Sequence, residues 1–162
     1  MRLLAILLLV GAQAFPSRDR TSWMQPDAFR LRLGMEKSAV ASQLEGSGWS
    51  TREGKEPNHL IVEYDENRTI TLMFEGERLD SIRFELVDFI PQLQQAFDEQ
   101  RESLQKRLGE PDRTTDDILM YEKTDPNVFV VKSARPDSSF GRQGVGFLTV
   151  RYFTPAPPAP PP

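Results

Sequence analysis

Apolar and polar residues recur along this chain in two rhythms, and the change from one to the other marks its elements. Ile70, Leu72 and Phe74 alternate with Thr69, Thr71 and Met73, the period of two that marks a half-buried strand. Ile82, Phe84 and Leu86 alternate with Arg83 and Glu85 in the same way. The glycine-containing turn Glu75-Gly76-Glu77-Arg78 joins the two runs into a hairpin. Leu60 to Tyr64 reads as a strand before them. Helical spacing governs Met35 to Glu45, where Val40, Ala41 and Leu44 share a face. Gly46 follows where a C-cap glycine belongs. A second helix is expected from Asp88, as N-cap, to Leu108, with Pro91 in its first turn. Its stripe of Ile90, Leu93, Phe97, Leu104 and Leu108 is interrupted at Gln100. Lys106 and Arg107 suit the C-terminal dipole, and Gly109 and Pro111 stop the helix. Strands follow at Ile118 to Glu122, Val128 to Ser133 and Gly146 to Phe153, the last two separated by a long Gly/Ser/Pro loop from Ala134 to Val145.

The order is helix and three strands, twice over, in halves of about sixty residues, a length at which internal repeats are worth suspecting. Polar residues on one side of each strand favour antiparallel pairing. The expectation is an α+β two-layer domain, an antiparallel sheet with helices on one face.

The ends of the chain follow other rules. Met1-Arg2, the apolar run Leu3 to Val10, and small Ala12 and Ala14 have the order of a secretory signal cleaved after Ala14. The competing reading, a membrane anchor, needs roughly 20 apolar residues, and Pro16, Arg18, Asp19 and Arg20 close this run early. Cleavage would leave 162 − 14 = 148 residues, the length of one ordinary domain. The expected organisation is signal peptide 1–14, linker 15–28, domain 29–154 and Pro-rich tail 155–162. Within the linker, Trp23 and Met24 are candidates to dock onto the domain. The tail, Pro155-Ala156-Pro157-Pro158-Ala159-Pro160-Pro161-Pro162, has the composition of an extended, solvated segment. No stretch of the mature chain is long and apolar enough to span a bilayer.

Charge and cysteine content narrow the chemistry. The net charge of −4 becomes −5 once Arg2 leaves with the signal. Acidic and basic residues are interspersed, so no basic stripe tracks phosphates and nucleic acid is not expected. The absence of cysteine excludes disulfides, thiolate catalysis and a lipidated N-terminal cysteine. It also fits bacterial export better than a disulfide-stapled module.

The segment Phe29-Arg30-Leu31-Arg32-Leu33-Gly34-Met35-Glu36-Lys37-Ser38-Ala39-Val40 resembles the Gly-Met-x-x-x-x-Val opening helix of the SmpA/OmlA outer-membrane lipoprotein modules. Leu108-Gly109-Glu110-Pro111 is similar to their Leu-Gly-x-Pro step. The beta-lactamase inhibitory protein has a similar helix-then-sheet architecture in tandem. The first helix departs from this pattern, ending Leu44-Glu45-Gly46-Ser47, and the lipidated cysteine is missing. The resemblance implies a binding or scaffolding role in the cell envelope.

Candidate chemistry is sparse. His59 is the single histidine, too little for a metal cluster or a triad. Asp112, Asp116, Asp117 and Asp125 lack the ligand spacing of a calcium loop, and a solvated acidic loop is the plainer reading. Gly141 to Gly146 precedes a strand, where a phosphate cradle would open a helix. Asn67-Arg68-Thr69 matches a glycosylation sequon, relevant only in a eukaryotic secretory route. Trp49 and Tyr64 suit an interface or, more simply, a core. In the long loop, Arg135, Phe140 and Arg142 are candidate contact residues, against the alternative of a flexible connection. No catalytic residue, metal or cofactor is assigned. The expected function is an exported, non-catalytic module, secreted or periplasmic, that binds a protein or envelope component. The alternatives are a hydrolase using carboxylates such as Glu63 or Asp65, and a structural envelope protein.

Overall fold

The computed structural model describes residues 20–135 and 144–155. Residues 1–14, Phe140, Arg142 and residues 156–162 lie outside them, as does the side chain of Arg135. The chain is an α+β fold. A single 3-10 turn, Pro26–Phe29, precedes helix α1 (Lys37–Gly46). Four strands follow: β1 (Thr51–Glu53), β2 (His59–Asp65), β3 (Arg68–Glu75) and β4 (Arg78–Phe89). Helix α2 (Ile90–Leu108) leads to β5 (Arg113–Thr114), β6 (Ile118–Tyr121), β7 (Asn127–Arg135) and β8 (Val145–Phe153). All eight strands join one antiparallel sheet in the order β1-β2-β3-β4-β8-β7-β6-β5. Each half lays its strands down from an edge toward the middle. The halves meet where β4 pairs with β8, from Ser81↔Phe153 to Phe89↔Val145.

The register explains the core. Val62, Ile70, Phe84, Val150, Val130 and Leu119 are successive cross-strand partners on β2, β3, β4, β8, β7 and β6, and every one is fully buried. The next row on that face, Leu60, Leu72, Ile82, Tyr152, Val128 and Tyr121, is buried too. Side chains two apart on a strand share a face, so these rows form one apolar surface. Val40 and Leu44 of α1 and Leu93, Ala96, Phe97 and Leu104 of α2 belong to the same core. Helix α2 packs against β4, β7 and β8, and α1 against β1 and β4.

The polar stretch before residue 29 adds to this core. Trp23 and Met24 are buried. Trp23 Nε1 donates to the Arg20 carbonyl at 2.8 Å, and its ring meets Phe84 edge-on with centroids 5.9 Å apart. Gln100, which interrupts the α2 stripe, is fully buried and ties this segment down: its Nε2 donates to the Thr21 carbonyl at 3.0 Å.

Several expectations need correction. Among the described residues the strands number eight, not six, the additional two being the short β1 and β5. Gly46 lies inside α1, and the positive φ after the helix falls on Gly48, at 81°. Asp88 does not cap α2. It remains in β4, where its carboxylate accepts the Phe89 N–H at 2.8 Å, and Phe89 stands at the N-cap position. The long loop is shorter than expected, since Ala134↔Gly146 and Arg135↔Val145 continue the β7–β8 ladder. The connection narrows to 136–144, and the Gly144 carbonyl accepts the first N–H of α2, from Ile90, at 3.0 Å.

Candidate functional site

The other face of the sheet carries a different row. Arg52, Ile61, Thr71, Arg83, Arg151, Phe129, Met120 and Arg113 are successive cross-strand partners from β1 to β5. Arginine occupies both ends and the two central positions. The end arginines are neutralised: Arg52 Nε lies 2.7 Å from Glu63 Oε1, and Arg113 Nε lies 3.7 Å from Glu122 Oε2.

The central pair is not. Arg83 and Arg151 face each other directly across the β4–β8 seam, and among the described residues neither has a carboxylate within ion-pair distance. Both spend part of their donor set on hydroxyls: Arg83 Nη2 donates to Thr71 Oγ1 at 3.4 Å, and Arg151 Nε to Ser81 Oγ at 3.1 Å. Arg83 Nε is buried without a hydrogen-bond partner. Like charges directly opposite in an antiparallel pair destabilise it, so this pair carries a cost that the apolar core rows do not.

The arginines stand among apolar groups. The Arg151 guanidinium lies over the Phe153 ring, 5.4 Å from its centroid. Ile61, Met73, Met120, Phe129, Val131 and Phe153 of this face are half-buried. The adjacent row carries two acids, Glu63, which Arg52 holds, and Glu85, which is half-buried and faces Thr149.

A second feature is an apolar cleft of about 400 Å³ between the 3-10 turn, the end of α2 and the β6–β7 connection. Leu31, Leu33, Leu108, Val128 and Tyr152 line it, with Asp27, Arg32, Arg107 and Asp125 also contributing. The Tyr152 hydroxyl donates to the Met24 carbonyl at 3.2 Å and accepts from Arg107 Nη2 at 3.4 Å. Burial pushes its phenol above the ordinary tyrosine value, with the Arg107 charge opposing.

The other candidates occupy structural positions. Trp49 and Tyr64 stack with centroids 5.0 Å apart and pack against the core. His59 is half-buried at the start of β2, its Nε2 3.5 Å from Glu56 Oε2. Glu63 is held by Arg52, and Asp65 by Arg68 at 2.7 Å. Neither carboxylate lines the cleft. Asp112 Oδ1 meets Lys123 Nζ at 2.8 Å, Asp117 pairs with Lys132 at 3.1 Å, and Asp125 precedes a cis Pro126. Asn67 is exposed in the β2–β3 turn. Phe140 and Arg142 lie outside the described residues, and Arg135 is placed by its backbone alone, at the end of β7.

Sequence reading missed the arginine row. Arg83 and Arg151 are 68 positions apart, and only the β4–β8 pairing brings them together. The one available signal was an arginine at an outward position of each of two central strands. No family model matches the chain, and no curated protein or solved structure matches it either.

Proposed function

We propose that this chain is an exported, non-catalytic binding module whose ligand is a protein or envelope component. On this reading both helices cover one face of the sheet and leave the other open for the partner. The observation that carries it is the half-buried apolar group, Ile61, Met73, Phe129 and Phe153, gathered around the centre of that second face. Apolar side chains concentrated on one surface mark contact sites in soluble proteins. Arg135, Phe140 and Arg142 are proposed as further contact residues. The strands that fix the ends of their connection, β7 and β8, also carry Phe129, Arg151 and Phe153.

The test is comparative capture from the envelope and extracellular fractions of the native source. The parent chain, a sheet-face variant (Phe129→Glu with Ile61→Glu), a triple alanine variant of Arg135, Phe140 and Arg142, and a cleft variant (Leu33→Glu) are each immobilised. The expected result is a species retained by the parent and the cleft variant and lost by the sheet-face variant, with the triple variant weakened. Retention by a folded sheet-face variant and loss by the cleft variant would move the binding site to the cleft.

A further inference from the structure

We infer that Arg83 and Arg151 form a clamp for the carboxylates of an acidic protein segment that also carries an apolar side chain. The inference rests on the sheet-face reading and names the partner's chemistry. Four arginines share one row across the sheet, and the two at its ends are answered by Glu63 and Glu122. The two in the middle face each other without a carboxylate partner among the described residues. Folding places both positive charges at the seam of the two halves, between the buried hydroxyls of Thr71 and Ser81 and the half-buried rings of Phe129 and Phe153. Glu85 is the one acid in the next row of these strands, which leaves two positive charges against one negative.

Arginine is suited to this task. Its planar fork of donors matches a carboxylate, and desolvation by neighbouring apolar groups strengthens the contact. Thr71 and Ser81 each hold one nitrogen of the pair, which orients both guanidinium groups while leaving donors free for a ligand. Phe129 stands opposite Arg151, and Phe153 lies beneath its guanidinium. The partner therefore brings carboxylates for the arginines and an apolar side chain for the phenylalanines. A locally unfavourable arrangement kept at the centre of a well-packed sheet is a place to look for function.

The probe is a blocked peptide, acetyl-Glu-Leu-Glu-Leu-Glu-amide, with its glutamine counterpart as control. Two-dimensional NMR of the mature chain follows the arginine Nε–Hε signals during titration. The acidic peptide is expected to shift Arg83 and Arg151 together with the Phe129 ring, and the glutamine peptide to leave them in place. The variant Arg83→Gln with Arg151→Gln is expected to bind at least tenfold more weakly while melting at or above the parent temperature, since like-charge repulsion is removed. Shifts spread evenly over all arginines, or equal binding of both peptides, overturn the clamp. If the double variant keeps the captured species that the sheet-face variant loses, the clamp fails and the sheet-face reading stands.

Discussion

Gly46 and Gly109 illustrate how much depends on a single backbone angle. Gly109 follows α2 with φ 84° and ψ −157°, a region that is essentially glycine's alone. A β-carbon there would meet nothing within 4 Å, so the cost of replacement is backbone strain and not collision. Gly109→Ala is expected to destabilise the protein by roughly 1–3 kcal/mol. Gly46 ends α1 in helical conformation, also with open space around it, and Gly46→Ala is expected to stabilise by roughly 0.5–1 kcal/mol. Urea denaturation of both variants checks the pair, and equal effects would contradict the assignment. The stop at Gly109 was legible because Leu108-Gly109-Glu110-Pro111 combines two breakers. The conformation of Gly46 was not, because the helix runs one residue further and Gly48 supplies the positive φ. Gln100 was visible as an interruption but not as a tie, since its partner, Thr21, lies 79 positions away.

Among the elements, the strands with alternating apolar residues were readable, and the two that lack them were not. β1 and β5 are exposed at every position, so no period of two distinguishes them from loop. They form because β2 and β6 offer unpaired backbone alongside. The β5–β6 pair has its own fastening. Asp112 Oδ2 accepts the N–H groups of Glu122 and Lys123 at 2.8 and 3.2 Å, while its Oδ1 meets the Lys123 ammonium. The Lys123 side-chain bond, followed by the Glu122 N–H, holds the Asp112 carboxyl below the ordinary aspartate value of 3.8. A carboxyl depressed in the folded state contributes stability above its unfolded value, and that contribution is lost as pH falls through the folded one. Carboxyl-carbon NMR is expected to place the Asp112 midpoint below 3.8, with exchange of the β6 amides accelerating beneath it. Asp112→Asn is expected to remove the acid dependence of that exchange. A midpoint at or above the ordinary value would mean that the fastening is absent in solution.

Across the whole molecule, the two halves share one core and one sheet, so they are expected to unfold together. Both tryptophans, Trp23 and Trp49, belong to the first half, whereas Leu119 on β6 is fully buried in the second. Leu119→Ala creates a cavity costing roughly 2–5 kcal/mol. The tryptophan fluorescence midpoint is expected to move by the same amount as the far-ultraviolet signal, although no tryptophan lies in the second half. Separate midpoints would show that the β4–β8 seam yields before the halves do. The α+β class was legible, and the order of elements only roughly so, because apolar periodicity is a local property that the exposed strands β1 and β5 lack. The central arginine pair was not, because register across the seam is set by the fold as a whole.

The two ends of the sheet limit its growth. β1 has three residues and β5 has two, and Arg52, Glu53 and Arg113 among them are charged. A long exposed strand is a template on which another molecule can add its own, and repeated addition produces fibrils. On either terminal strand an incoming chain would find only two or three backbone positions to pair with, with ionic groups to displace. Edge-to-edge addition therefore has little foothold on either terminal strand, and among the described residues the array ends at eight strands.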